Sequence, residues 1–381
     1  MKEKQIRKVW SYLPVDYRTW PSKVVPQVQK LSLKIGIHLS AWRLLFTNEN
    51  GVAPLLLTDL RFCLLRQGRL VSRSPITFSG NNELYLGVDD RRHSDICEAE
   101  LWPGDTLEIQ VLLPQTTYLT SGVVTYSKLN YEIEHRTFYG NLIDPQQQFI
   151  MVRNNHRMNY FFGLYGLEAV CDQVNVVTVF GDSIVQQGFF ANHLRQMLQA
   201  DGQFAVNNAG IGGNRILFDT DPAMDNWLRH GTAGLKRFEH DVFGDGDPDL
   251  VFVFHGINDV IQETIHSGDV EVLDDVRAGL VKYAQIIKEH GVKSVIGTLM
   301  PLRHSIFYSE HVEQQRQRLN DWIRHQTYFD AVVDFDQAMQ DTTDPIALRQ
   351  DYDSGDGLHP SDEGGAAMAR AAAPVVKRLF D

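Results

Sequence analysis

Four short segments in the second half of this 381-residue chain hold residue types that can run nucleophilic acyl chemistry. In Phe180-Gly181-Asp182-Ser183-Ile184 an apolar run breaks at Gly-Asp, and Ser183 falls near the start of a helix. Backbone N–H groups at such a start have no intrahelical acceptor and can meet a developing oxyanion; the competing reading makes Ser183 a helix N-cap. The next segment, Asn207-Asn208-Ala209-Gly210-Ile211-Gly212-Gly213-Asn214-Arg215, follows a strand-like run, and its glycines let backbone N–H groups approach a ligand closely. Alone it reads as a turn, for it lacks the Lys-Ser/Thr of a phosphate loop. His255-Gly256-Ile257-Asn258-Asp259 follows the apolar run Leu250–Phe254 and places the Asn258 amide at a sheet edge, as an oxyanion donor or as a local turn former. Last comes Asp353-Ser354-Gly355-Asp356-Gly357-Leu358-His359-Pro360-Ser361, with Asp and His three apart just ahead of a final helix. That spacing lets a carboxylate hold imidazole Nδ1 while Nε2 faces a nucleophile; the alternative is a Gly-rich loop with a surface histidine.

Each segment needs a scaffold that puts it at the end of an element. Val174–Phe180, Phe204–Asn208, Leu250–His255, Ser294–Met300 and Ala331–Phe335 are short apolar runs of the kind that fill a parallel sheet buried on both faces. Helices alternate with them. A helical segment runs from Ser183 to about Ala200, and Leu273, Val276, Leu280, Tyr283 and Ile287 share one face at spacings of three and four. Val312–His325 is another candidate, and the Asp- and Gly-rich stretch Phe218–Asp249 is expected to be helical only around Ala223–Phe238 and to form a flap beside the site. Alternating β and α elements predict an α/β domain whose active site lies outside the carboxyl ends of the strands.

The first half reads differently. Between Leu31 and Leu39 apolar residues occupy every odd position, the period of a half-buried strand. Leu60–Leu65, Leu84–Val88, Leu107–Leu113 and Ser121–Glu134 are further strand candidates, separated by turn formers such as Asn48-Glu49-Asn50-Gly51 and Pro103-Gly104. Strands at this spacing predict a β-sandwich or jelly roll. Since single cores stop growing at roughly 250–300 residues, two domains are expected, at 1–170 and 171–381.

A net charge of −12 without a long Lys/Arg run argues against nucleic acid or membrane partners. The charged N-terminus has no apolar stretch suited to a secretory signal, and no segment reaches ~18 uninterrupted apolar residues, so a cytoplasmic location is expected. Cys63, Cys97 and Cys171 are odd in number and form no C-x-x-C, which disfavours a disulfide framework or a zinc site.

In this order, Gly-Asp-Ser, the glycine block, Gly-x-Asn-Asp and Asp-x-x-His resemble the SGNH (GDSL) hydrolase family over residues 174–381. It is not the G-x-S-x-G elbow, since no glycine stands two residues beyond Ser183. The resemblance implies a three-layer α/β/α (flavodoxin-like) catalytic domain, here preceded by the β-rich domain of a two-domain subgroup. It makes Ser183 the nucleophile and a backbone oxyanion donor, His359 the base, Asp356 its orienter and Asn258 the side-chain oxyanion donor. The glycine donor is best matched by Gly213, with Gly210 and Gly212 in the same block. Asp182 and Asp259 read as structural, bonding loop backbone. The expected activity is a serine esterase of the carboxylic ester hydrolase class, acting through an acyl-Ser183 intermediate with no cofactor and no metal. A short acyl group is expected, because no long apolar segment suggests a lipid-binding lid. The substrate would be a small-molecule ester, with acylated sugars among the candidates. Two other readings stay open: an acyltransferase using the same triad, and a carbohydrate-binding protein with a degenerate esterase domain.

Overall fold

The computed structural model describes residues 6–127, 131–139, 142–144, 150–153, 156–171, 173–224, 227–262 and 273–381. Among the described residues its first half forms four antiparallel sheets, and two of them frame the core. One runs in the order Ile6–Ser11, Leu164–Val170, Ala41–Thr47, Arg91–His93. The other runs Leu142–Asp144, Tyr131–Tyr139, Gln27–Lys34, Thr106–Leu113, Leu55–Arg66, Arg69–Pro75, with Glu83–Leu86 also paired to Leu55–Arg66. On Thr106–Leu113 the residues Leu107, Ile109, Val111 and Leu113 point inward, as a period of two requires. The sheets share a core in which Trp42 of the first meets Phe62 of the second edge to face, with ring centroids 4.9 Å apart.

The strand expected over Leu31–Leu39 is displaced: the ladder runs from Gln27 to Lys34. Beyond it Ile35, Ile37 and Leu39 stay buried outside any strand, Leu39 pairing with Leu101 only as an isolated bridge, and Gly36 lies against Gln199 of the second half, where any Cβ would collide with the Gln199 side chain. The stretch expected over Ser121–Glu134 holds two strands, Ser121–Thr125 and Tyr131–Tyr139, with 128–130 outside the described residues.

The second half is a five-stranded parallel sheet in the order Phe204–Gly210, Asn175–Gly181, Leu250–Phe254, Lys293–Gly297, Ala331–Val333. In chain order that is 2-1-3-4-5, the flavodoxin-like arrangement. Helices Phe189–Gln199 and Asp362–Arg378 pack on each other, while Gly234–Phe243, Leu273–Glu289 and Glu310–His325 form a second packed set, giving three layers. All five residues expected on one face of Leu273–Glu289 are buried. Two expected helices are broken instead. The one after Ser183 ends at Gln186 and restarts at Phe189, because Gly188 takes φ +86°. The one expected around Ala223–Phe238 is a 3₁₀ turn at Trp227–His230 and an α-helix at Gly234–Phe243, separated by Gly231 at φ +68°. Val176 and Ala205, although on strands of the parallel sheet, pack with Val174, just ahead of the first strand, into the core of the first half. Among the described residues no helix is long and apolar enough to cross a membrane.

Candidate active site

Connections leave the sheet toward opposite faces beside its first strand, and the crevice of a doubly wound sheet opens at such a point. Asn175–Gly181 delivers Ser183 there, Phe204–Gly210 delivers the glycine block, and Leu250–Phe254 delivers Asn258. Ser183 opens the short helix Ser183–Gln186, whose N-cap is Asp182: its Oδ1 accepts the Ile184 N–H at 3.1 Å. Ser183 is therefore not the cap, and its hydroxyl is left for other work. Four residues cannot sustain a helix alone. Outside supports hold this one, for the Gln187 carbonyl beyond it accepts from Thr125 Oγ1 at 2.9 Å, Tyr126 N at 2.9 Å and Ser127 N at 3.1 Å.

The Ser183 hydroxyl lies 2.8 Å from His359 Nε2, and His359 Nδ1 lies 2.7 Å from Asp356 Oδ2. A carboxylate only accepts, so Nδ1 carries the imidazole proton and Nε2 is the acceptor that faces Ser183. The other carboxylate oxygen of Asp356 accepts the backbone N–H of His359 at 2.8 Å and of Leu358 at 3.0 Å. Burial alone would raise the Asp356 carboxyl; the bond to His359, its charge and these N–H groups outweigh it and hold the group well below the usual carboxylate range. The neighbouring Asp353 is spent on the loop itself, its Oδ1 accepting from the N–H groups of Gly355, Asp356 and Gly357 at 2.8, 3.2 and 3.0 Å.

The three glycines of the second block part company. Gly210 gives its N–H to Asn208 Oδ1 at 3.0 Å and Gly212 gives its own to Gln186 Oε1 at 2.8 Å, whereas the Gly213 N–H has no acceptor among the described residues. A Cβ built on Gly212 would stand 3.6 Å from Ser183 Cβ, so this loop passes directly beside the serine. Asn258 is buried and does not serve a local turn: its Nδ2 donates 3.0 Å to the Asn214 carbonyl, 44 residues away. The same carbonyl meets His255 Nε2 at 3.1 Å. Since a carbonyl only accepts, His255 carries its proton on Nε2. Burial, then the charge of Arg237, push this histidine down to about 3 and keep it neutral.

Two buried carboxyls flank the site. Burial raises Asp182 to about 7 against the opposing Ile184 N–H. Burial also raises Asp259 to about 6, although it accepts from Ile216 N at 2.8 Å and Leu217 N at 3.1 Å. Both bond loop backbone. Arg237, unmarked by any motif, ties the floor together. It donates to Asn214 Oδ1 at 2.8 Å, to the strand-end carbonyls of Gly181 at 2.8 Å and Ala209 at 3.2 Å, and to Asp241 at 2.7 Å, with its guanidinium 4.2 Å from the Phe180 ring centroid. Its spacing of four from Asp241 on one helix is the signal that sequence reading could have used. Gln186 and His230 carry no such signal in their sequence neighbourhoods. Together the groups offer a hydroxyl beside a base, a base held in one tautomer, and N–H donors next to the hydroxyl: the parts needed for acyl transfer.

Residues 179–367 match the model of the GDSL-like lipase/acylhydrolase family. No curated protein matches the chain significantly. Among solved structures, a GDSL-like lipase from Bacteroides thetaiotaomicron VPI-5482 is 19% identical with a TM-score of 0.39, over 54% of this chain and 89% of its own. A catalytic mutant of Axe2, an acetylxylan esterase from Geobacillus stearothermophilus, is 21% identical with a TM-score of 0.39, over 53% of this chain and 95% of its own.

Proposed function

The chain belongs, through residues 179–367, to the GDSL-like lipase/acylhydrolase family and is a carboxylic ester hydrolase, and from that premise we propose that it works as a serine esterase through an acyl-Ser183 intermediate. The observation that carries this reading is the unbroken line from Ser183 Oγ through both imidazole nitrogens of His359 to Asp356, with steps of 2.8 and 2.7 Å. His359 Nε2 takes the Ser183 proton as Oγ attacks the ester carbonyl, passes it to the leaving alcohol, and then activates the water that releases the acid. The tetrahedral oxyanions are met by the backbone N–H groups of Ser183 and Gly213 and by the Asn258 amide, whose second N–H is not the one given to Asn214. Asp356 holds the tautomer and stabilises the imidazolium.

Residues 171–381 carry the chemistry in this reading, and residues 1–170 act as an accessory domain that shapes access. The acyl group is short and the substrate a small-molecule ester, with acylated sugars the first class to try. The loop that passes beside Ser183 presents Gly212 there and is held by two polar side chains, Gln186 and His230, which supports a short acyl group. A fluorophosphonate probe should label Ser183 alone among the serines, because only a serine with an adjacent base and oxyanion donors attacks phosphorus readily. Labelling that survives Ser183→Ala would sink the assignment.

A further inference from the structure

The oxyanion donor assigned to Gly213 belongs to a peptide between two glycines. The N–H of Gly213 and the C=O of Gly212 are parts of one planar trans unit and point in opposite directions. Rotating that unit changes only ψ of Gly212 and φ of Gly213, the torsions for which glycine imposes least steric resistance. Left to itself, such a peptide would spend part of its time reversed, presenting a carbonyl where the site needs a donor. Something must hold it.

The holding group is His230. His230 Nδ1 lies 2.5 Å from the Gly212 carbonyl. Its other nitrogen, Nε2, accepts from Arg229 Nε at 3.2 Å, so the proton of the neutral ring sits on Nδ1 and is donated to Gly212. The ring also covers Gly213 closely: a Cβ there would come within 2.1 Å of His230 Nδ1, and Gly213 accordingly keeps φ +75°. His230 is itself fixed, since its carbonyl accepts from Asn214 Nδ2 at 2.7 Å, and the 3₁₀ turn that carries it, Trp227–His230, packs against Val15–Asp16 of the first half. From the opposite side Gln186 Oε1 holds the Gly212 N–H. Consecutive peptides of the loop are thus clamped from two directions.

We propose that His230 is a positioning residue: by donating to the Gly212 carbonyl it fixes the Gly212–Gly213 peptide in the orientation that turns the Gly213 N–H toward the oxyanion. This rests on the serine-esterase reading and adds to it the residue that keeps one oxyanion donor in register.

The test uses the full chain with His230→Leu, which keeps bulk and removes the donor, and His230→Gln, which restores an N–H donor. His230→Met replaces the leucine variant if that one does not fold. kcat and KM for a small chromogenic ester, the inhibition constant of an alkylboronic acid that forms a tetrahedral adduct on Ser183, and the thermal midpoint are measured for each. Losing one oxyanion donor costs about 10²–10³ in kcat, and that range is the ceiling for His230→Leu. The expected result is a kcat loss of at least about tenfold below that ceiling, KM nearly unchanged, boronate binding weakened in parallel and a preserved thermal midpoint, because only the transition state uses the donor. His230→Gln should recover most of the loss. Wild-type kcat in a folded His230→Leu, a loss confined to KM, or equal damage in the leucine and glutamine variants would each overturn the proposal. Absence of fluorophosphonate labelling at Ser183 in the unmodified protein would instead overturn the esterase reading beneath it.

Discussion

Replacing Asp356 by Asn tests the line of bonds at the point where a single proton decides its direction. The outcome follows from which oxygen is already occupied. Oδ1 accepts from the backbone N–H groups of His359 and Leu358 at 2.8 and 3.0 Å, so the amide oxygen of the variant stays on that side. Its NH₂ then takes the place of Oδ2, 2.7 Å from His359 Nδ1. Two N–H donors cannot face each other at that distance, and the imidazole proton moves to Nε2, where it blocks acceptance of the Ser183 proton. The negative charge that supports the imidazolium is lost as well. In a serine protease the corresponding change lowers kcat by about 10⁴, which at about 1.36 kcal/mol per decade is about 5.4 kcal/mol of transition-state stabilisation. A loss of that order is expected, with the fold unchanged by circular dichroism and KM moving much less than kcat. The control is Asp353→Asn. The Asp353 Oδ1 already accepts three N–H groups, from Gly355, Asp356 and Gly357, and an amide oxygen can accept them equally. This variant should stay within several-fold of the unmodified protein in steady-state hydrolysis of a small ester. A crippled Asp353→Asn beside a nearly normal Asp356→Asn would refute the reasoning and move the orienter.

Asn258→Ala should lower kcat by about 10²–10³ with little change in KM, because the lost donor matters mainly once the oxyanion forms; a change mainly in KM would make Asn258 a substrate-binding residue. Asp182 predicts a pH dependence of stability. Burial raises its folded pKa to about 7, so the folded state holds the proton more tightly than the unfolded state, and the stability present below about pH 4 is lost as pH rises through 7. A shift of roughly three units corresponds to about 4 kcal/mol. Asp182→Asn keeps an acceptor for the Ile184 N–H and removes the titration. Urea unfolding from pH 4 to 8 should therefore show the variant gaining steadily on the unmodified protein, and a difference that does not change with pH would rule the account out.

The parallel sheet was readable because strands buried on both faces are short apolar runs, and the site segments are local enough to carry their chemistry in a few residues. Asp356 and His359 sit in one loop, and Ser183 follows its strand directly. Legibility fell where packing breaks the simple periods. Leu164–Val170 is buried along nearly its whole length and offers no alternation to count. A helix was expected across Gly231, yet the positive φ adopted there divides the segment. Arg237 joins Gly181, Ala209 and Asn214, residues 56, 28 and 23 positions away, and its one short-range mark, Asp241 four residues on, points to a helical ion pair rather than to the floor of a site.

The glycine block shows most plainly what spacing withholds. By residue type Gly210, Gly212 and Gly213 are equivalent candidates, and any of them allows a backbone N–H close to a ligand. What distinguishes them is where each N–H already goes, and that is decided by side chains elsewhere. Asn208 engages Gly210 from within the block, but Gln186 reaches Gly212 from 26 residues away, and His230 holds the Gly212 carbonyl from 18 residues away. Remove those two long-range bonds and the Gly212–Gly213 peptide has no reason to prefer one orientation. The serine, the histidine and the aspartate of such a site can be found by their spacing. The direction of a backbone dipole between two glycines can be found only from the residues that fold back to hold it.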